Sequence, residues 1–161
     1  MSSSLRLIVS VSLSLATTFS AANAQCDDEP SARKSVEGIE KDLVQLRDQQ
    51  EAREEAMQRR IKEVADGLVR SGKWVEQDRA IFFEAQIRTE AYVAAEKKKK
   101  SDLDLLALAA QSVIGHQEKG DFKMACLSAA DMRLILERVG ATNDAQYTRM
   151  LEGIRTIAER K

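Results

Sequence analysis

The sequence predicts an all-α protein, and three observations carry this prediction. The chain of 161 residues has one Pro and seven Gly, which is too few for a β-sandwich, a β-barrel or a Pro/Gly-rich linker. Residues of high helix propensity are abundant, namely Ala, Leu, Glu, Lys, Arg and Gln. Apolar residues also recur every three or four positions over long stretches. We expect a long N-terminal helical hairpin followed by a C-terminal bundle of three helices.

Residues 1–24 have the pattern of a secretory signal peptide. Arg6 precedes an apolar stretch, and Ala22-Asn23-Ala24 forms a small-x-small cleavage site. The apolar stretch is shorter than the roughly 20 residues that span a bilayer. We therefore expect cleavage and export, with no transmembrane segment afterwards and a short N-terminal tail over residues 25–30. Removal of 24 residues from 161 leaves 137, the size of one domain.

Cys26 and Cys126 are the two cysteines of the chain. In an oxidising compartment such as the bacterial periplasm or the cell exterior, thiols pair. The two residues are far apart in sequence and form no Cys-x-x-Cys motif, which favours a structural disulfide over a redox-active one. The bond is intramolecular in one interpretation and intermolecular in another. The alternative role is a thiolate metal site formed by Cys26 with the acidic run 27–29.

The stretch from Ser31 to about Arg70 predicts one long helix with the apolar spacing of a coiled coil. Gln50 and Arg53 interrupt its apolar stripe, which suits a solvated stretch or a register-fixing position. At 1.5 Å per residue the helix would be about 60 Å long, so it must protrude, bend or pair with another element. Its apolar residues are Val36, Ile39, Leu43, Leu46, Met57, Ile61, Val64 and Leu68.

Gly67, Ser71 and Gly72 predict a break, after which a second helix runs from Trp74 to about Lys99. The short link favours an antiparallel hairpin over residues 31–100. Apolar residues lie on more than one face of the second helix, as in a helix that packs on two sides or forms an interface. The candidate interface residues are Trp74, Ile81, Phe82, Phe83 and Tyr92, although aromatic residues at helical spacing also suit a core.

Four lysines, Lys97 to Lys100, follow this second helix. Cations at a helix C-terminus offset the partial negative charge of the last carbonyl groups. The alternative is a patch that contacts an anionic surface, such as lipid head groups. Nearby carboxylates weaken the field of the lysines and favour the first interpretation.

Residues 101–161 predict three helices joined by short loops. Ser101 to Asp104 resembles a capping box at the start of the first helix, and Gly120 ends it. Asp121 caps the second helix, which ends at Gly140. Asn143 caps the third helix.

The segment 111–134 resembles a single helix pair of the tetratricopeptide type. Gly120-Asp121 lies at the turn and Ala125 follows four residues later, as in that repeat, whereas Ala129 stands where the repeat usually has an aromatic residue. No second copy is present in the sequence, and repeat arrays generally need three or more units. The resemblance therefore implies the geometry of a hairpin and no inherited function.

Charge and motifs predict a protein without catalytic activity. The net charge of −1 provides no field to hold nucleic acid. The sequence has no phosphate-binding loop, zinc-protease motif or nucleophile elbow, and its single histidine, His116, suits a helix C-terminus. We expect no cofactor and no bound metal.

The expected function is that of an exported, periplasmic interaction, adaptor or chaperone-like protein. Its expected partner is a protein or peptide, or a second copy bound through the 31–100 hairpin. Two alternatives stay open. One is a small-ligand or metal-sensing bundle that uses Cys26, the acidic run 27–29 or His116, and the other is an enzyme of unrecognised type.

Overall fold

The computed structural model describes residues 26–160, so the predicted signal peptide lies outside the described residues. Within this range the chain forms four helices and no strand, which confirms the all-α class. The helices are α1 (Glu29–Arg70), α2 (Glu76–Ile87), α3 (Glu90–Glu118) and α4 (Phe122–Arg160).

Side chains cap the starts of three helices. The Asp28 carboxylate accepts a hydrogen bond from the Ser31 amide (2.9 Å) at the start of α1, with Pro30 in the first turn. The Thr89 hydroxyl accepts one from the Tyr92 amide (3.2 Å) at the start of α3. Asp121 does the same for the Met124 amide (3.2 Å), so the predicted cap at Asp121 is confirmed.

Two glycines form the predicted turns. Gly72, between α1 and α2, has a φ of 73°, and Gly120, between α3 and α4, has a φ of 72°. L-residues with a side chain rarely adopt this left-handed conformation, whereas glycine does so without steric cost. The hairpin turn predicted at Gly120 is thus confirmed, while the likeness of its two helices to a tetratricopeptide pair stays a prediction.

Four predicted helix boundaries are wrong, one of them the cap at Asn143, which lies inside α4. The second helix ends at Ile87 and not near Lys99, because Thr89 caps a new helix. No helix begins at Ser101, since Asp104 pairs with Lys100 (2.9 Å) in the middle of α3 instead of capping. The four lysines therefore lie inside a helix and not at its C-terminus. Gly140 does not end a helix, and α4 continues to Arg160, so the described C-terminal part contains α3 and α4 and not three helices after residue 101.

Helix α4 lies at the centre of the bundle and contacts both α1 and α3. It runs parallel to α1, as shown by contacts from Gln50 to Leu136 and from Lys73 to Ala158. It runs antiparallel to α3, because Ser112 bonds with Ser128 near the turn. Helix α1 does turn back into α2 as predicted, but its main partner is α4.

Most of the buried apolar residues form two clusters at opposite ends of the bundle. The disulfide cluster comprises Cys26, Ala32, Val36, Val113, Ala125, Cys126 and Ala129. The tryptophan cluster comprises Ile61, Ala65, Leu68, Trp74, Phe82, Leu151 and Ile154. Helix α4 contributes to both clusters and connects them.

The predicted disulfide is confirmed. Cys26 and Cys126 are joined within one chain, with an S–S distance of 2.03 Å. The two residues are 1% and 4% exposed. Because the Cys26 sulfur is in a disulfide, the alternative thiolate metal site with the acidic run 27–29 is wrong.

Candidate functional site

Between the two apolar clusters, polar side chains from all three long helices meet in what we call the polar layer. Helix α4 contributes the middle of the layer and makes hydrogen bonds to both neighbouring helices. The members are Glu54 and Gln58 of α1, Glu96 and Lys99 of α3, and Asn143, Gln146 and Tyr147 of α4. Gln146 is buried, Gln58 is exposed and the other members are half-buried. Polar side chains that bond to each other between helices fix the register of the helices more strictly than apolar packing does.

Tyr147 joins α4 to α1 through one hydroxyl group. The hydroxyl donates to the Glu54 carboxylate (2.6 Å) and accepts from the Gln58 amide (2.9 Å). Burial, followed by the nearby Glu54 carboxylate, raises the pKa of Tyr147 to about 12. Tyr147 is therefore a neutral hydrogen-bonding group at any physiological pH.

Asn143 extends the polar layer from α1 to α3. Its amide nitrogen donates to Glu54 (3.2 Å), and its amide oxygen accepts from Lys99 (3.2 Å). Lys99 also pairs with Glu96 (2.8 Å), which accepts from Gln146 (3.1 Å). The bond from Lys99 is the first reason why the pKa of Glu96 lies below its usual value.

The polar middle of the α1 stripe also contacts α4. The Gln50 side chain donates to the Leu136 carbonyl (2.7 Å), and Arg53 pairs with Asp144 (3.1 Å). Both contacts join α1 to α4 at the edge of the polar layer. Of the two roles expected for these residues, the contacts favour register fixing over a merely solvated stretch.

A groove of about 330 Å³ opens to solvent where α1, α2 and α4 meet, on the tryptophan-cluster side of the polar layer. Its floor consists of the apolar side chains of Ile61, Ala65, Phe83 and Met150. Gln58 and Tyr147 of the polar layer also line the groove. Lys62, Asp66 and Arg79 line it as well, so polar groups rim an apolar floor.

Charged residues of the groove are held in ion pairs. One Asp66 oxygen accepts from Lys62 (2.5 Å) and the other accepts from Arg79 (2.7 Å). Arg79 also pairs with Glu76 (2.8 Å), which lies within the first turn of α2. The hydrogen bond from Lys62 is the largest contribution that lowers the pKa of Asp66. Asp66 is therefore a charged carboxylate at neutral pH.

The five candidate interface residues lie in different environments. Trp74 and Phe82 are 3% and 5% exposed and belong to the tryptophan cluster, with ring centroids 5.5 Å apart. Phe83 packs edge-on against Phe82 and lines the groove. Ile81 is 56% exposed on the outer side of α2, and Tyr92 is half-buried on α3. Only Phe83 of the five reaches the groove.

The sequence pattern does not identify the other groove residues as a binding site. Helical spacing does place Ile61 and Met150 on apolar faces. It does not show that α1 and α4 pack in parallel or that Phe83 of α2 lies beside them. The site comes from three segments distant in the chain, which no local pattern joins.

His116 lies at the other end of the bundle, near the turn between α3 and α4. Its Nδ1 atom is 3.6 Å from an Asp121 oxygen and makes no hydrogen bond within residues 26–160. Ser112, one helical turn earlier, bonds with Ser128 (2.9 Å). Met150 follows Asp121 by 29 residues of helix, about 44 Å, so His116 and the groove are separate features.

A second cavity of about 300 Å³ lies between the first half of α1 and α4. It is lined by Ile39, Asp42, Leu43, Gln45, Leu46, Gln49 and Arg133. Six of these seven residues lie at solvent-exposed or half-buried positions along α1, and Arg133 lies on α4. Unlike the groove, this cavity has no aromatic residue in its lining.

The described residues offer neither a metal site nor a membrane span that could assign a function. Within residues 26–160, no group of three or more His, Cys, Asp or Glu side chains is arranged to hold a metal ion. In the same range, no helix combines the length and the apolar character that crossing a membrane requires. No protein family model matches the chain, and neither a curated protein nor a solved structure does. The function therefore has to be argued from the groove itself.

Proposed function

We propose that this protein is an exported interaction module that binds an apolar segment of a partner protein in the groove between α1, α2 and α4. The observation that carries the proposal is the apolar floor, open to solvent and surrounded by polar groups. Protein-binding surfaces combine an apolar centre with a polar rim in this way. Phe83 provides the aromatic anchor that such surfaces favour.

The shape of the groove favours a protein segment over an enclosed small molecule. Its volume of about 330 Å³ lies at the lower end of small-molecule pockets, which bury most of their ligand. An open groove of this size accommodates a few side chains on one face of an amphipathic helix. The role is that of an interaction or adaptor protein.

The charge states of the groove residues favour binding over catalysis. A general acid or base works best with a pKa near the operating pH. The pKa of Asp66 is lowered by its cation partners, and that of Tyr147 is raised to about 12. The pKa values of both groups thus lie further from neutral pH than usual. This suits fixed hydrogen-bonding and ion-pairing roles.

Export is the second part of the proposal, and the buried disulfide supports it. Disulfides persist in the periplasm and outside cells and are rare in the cytosol. Cys26 is also the second residue after the predicted cleavage site and is anchored in the disulfide cluster. We expect the protein purified from an envelope or secreted fraction to start at Gln25 by N-terminal sequencing. A start at Met1 in the cytosolic fraction would contradict export.

Site-specific photo-crosslinking in native envelopes tests the binding role. A photoreactive phenylalanine at Phe83 lies on the groove floor, whereas the same group at Ile81 lies on the outer side of α2. We expect one defined partner peptide to be crosslinked from position 83 and not from 81. The purified partner should bind a Met150→Glu variant about tenfold more weakly than wild type, since a carboxylate would enter the apolar floor. Equal crosslinking from both positions would argue against the groove.

A small-molecule ligand is the second candidate function. Gln58 and Tyr147 converge on the groove beside its apolar floor, and a few placed polar groups in an apolar lining are typical of ligand pockets. Native mass spectrometry of the protein purified from its own envelope decides between the two. A co-purifying small molecule that is lost on Met150→Glu substitution would favour the ligand over the protein segment.

A further inference from the structure

We infer that α3 pairs with α3 of a second copy of the chain, in antiparallel orientation, through an apolar stripe on its surface. The members of this α3 stripe are Leu103, Ala107, Ala110 and Ile114. The groove is lined by α1, α2 and α4, so the α3 stripe is a second surface. The inference therefore goes beyond the proposed function and does not depend on it.

Helix α3 exposes more large apolar side chains than any other described helix. Ten such side chains are exposed within residues 26–160, and five of them belong to α3, namely Val93, Leu103, Leu105, Leu108 and Ile114. A helix that is apolar on several faces is normally covered on several faces, yet α3 packs chiefly against α4. Its exposed apolar residues therefore indicate a contact outside the chain.

The α3 stripe has the spacing of a helix–helix interface. Its residues follow one another at intervals of four, three and four positions, which keeps them on one face of the helix. Leu103 and Ile114, at its ends, are 47% and 56% exposed. In an antiparallel pair centred between Ala107 and Ala110, Leu103 of each copy meets Ile114 of the other. The alanines meet at the centre, and every contact occurs twice about a twofold axis.

Charged side chains beside the stripe favour this orientation. One flank of the stripe carries Lys97, Lys100, Asp104 and Glu118. Lys100 pairs with Asp104 (2.9 Å), whereas Lys97 and Glu118 make no ion pair within residues 26–160. The flank is thus neutral as a whole, with an unpaired positive charge at one end and an unpaired negative charge at the other. Antiparallel pairing places Glu118 of each copy beside Lys97 of the other, whereas parallel pairing places Glu118 beside Glu118.

The remaining charges of this segment do not change the count. Glu96 and Lys99, on the other side of the stripe, pair with each other (2.8 Å). Lys98 and Lys119 lie on the far side of α3, and Asp121 lies beyond its end, at the cap of α4. The same stripe and the same flank thus complement themselves, which favours a second copy over an unrelated partner.

Analytical ultracentrifugation of the oxidised full chain tests the pairing. We expect a reversible dimer with a dissociation constant in the micromolar range, since one helix pair is a small interface. Ile114→Glu should weaken the dimer about hundredfold, because the twofold axis places the carboxylate in the apolar interface twice. Leu108→Glu is the matched control. Leu108 is 60% exposed but lies roughly 130° around the helix from the stripe, so dimerisation should be unchanged.

Glu118→Lys tests the orientation separately. In the antiparallel pair this variant places a lysine beside Lys97 of the second copy, and the dimer should be about tenfold weaker because two exposed ion pairs are lost. Adding Lys97→Glu to Glu118→Lys restores the pairs with reversed charge and should restore the wild-type affinity. Circular dichroism confirms that the variants retain their helices.

The outcomes that overturn the inference are distinct. A chain that stays monomeric up to millimolar concentration would overturn it, as would a dimer that Ile114→Glu and Leu108→Glu weaken equally. A dimer that depends on Ile114 but is not weakened by Glu118→Lys would overturn the antiparallel arrangement. None of these results bears on the groove, which crosslinking from Phe83 tests independently.

Discussion

At the scale of single residues, the Tyr147 hydroxyl provides the sharpest test of the polar layer. Tyr147→Phe leaves Glu54 and Gln58 without their shared partner and changes little in shape. We expect the free energy of unfolding to fall by about 1–2 kcal/mol, the typical cost of such a loss, as measured by urea denaturation. Tyr92→Phe is the control, because its hydrogen bond to Gln146 uses the backbone carbonyl. A similar loss in both variants would contradict a special role for Tyr147.

The raised pKa of Tyr147 predicts a change in stability with pH. The ordinary value of 10.0 rises to about 12 in the folded protein, so the folded state holds this proton more strongly than the unfolded state. The corresponding stability is fully present below pH 10 and is lost as pH rises through 12. The difference in unfolding free energy between wild type and Tyr147→Phe should therefore shrink over this range. A difference that stays constant from pH 9 to 12 would show that Tyr147 is not buried as described.

The aromatic residues show what the sequence could and could not predict at this scale. Helical spacing correctly marks Trp74, Phe82 and Phe83 as apolar contacts. It does not say which face another helix covers, so it cannot separate Trp74 and Phe82 in the core from Phe83 in the groove. The pairing of Cys26 with Cys126 was predictable because the chain offers no other cysteine partner.

At the scale of helices, predicted boundaries succeeded where they depended on backbone conformation. Gly72 and Gly120 adopt positive φ, a local requirement that the sequence displays. Ser101 and Gly140 misled because tertiary contacts decide their roles. Asp102, in the supposed capping box, pairs with Arg138 of α4 (3.0 Å). Gly140 is a buried residue inside α4, where the Gln50 side chain occupies the space that a Cβ would take. This packing is not visible in the sequence, where the glycine resembles a helix end.

The contact between Gly140 and Gln50 is open to a double-mutant cycle. A Cβ at position 140 would lie 2.8 Å from the Gln50 amide nitrogen and would displace the bond to the Leu136 carbonyl. In a Gln50→Ala background, Gly140→Ala should raise the unfolding free energy by up to about 1 kcal/mol through helix propensity. In wild type the gain should be smaller by about 1 kcal/mol, the value of the lost hydrogen bond.

Gly153→Ala controls for helix propensity alone. A Cβ there would meet the Phe82 ring at 3.4 Å, an ordinary contact far from Gln50. Its effect should be the same in the Gln50→Ala background and in wild type. If Gly140→Ala also behaves identically in both backgrounds, the packing of Gln50 against Gly140 is wrong, and with it the reason why α4 continues through this glycine.

At the scale of the whole molecule, α1 and α4 run parallel and are joined at three levels. The disulfide holds them at one end, the polar layer in the middle, and the tryptophan cluster with the Lys73 bond to the Ala158 carbonyl at the other. Parallel pairing of the first and last helices needs an intervening antiparallel helix that brings the chain back, and α3 does this here. The sequence predicted an adjacent hairpin because short connections favour neighbours, and local patterns carry no signal for a pairing this distant.

This arrangement predicts a local effect of removing the disulfide. The double substitution Cys26→Ser and Cys126→Ser should lower the unfolding free energy by about 2–4 kcal/mol, since the bond closes a long loop. Amide hydrogen exchange should increase most around Ala32 and Val36 of the disulfide cluster. The amides of Leu151 and Ile154 in the tryptophan cluster should still exchange only through global unfolding, as in wild type. Uniform loss of protection along α1 and α4 would mean that the two clusters unfold as one unit, and that the polar layer does not divide the bundle.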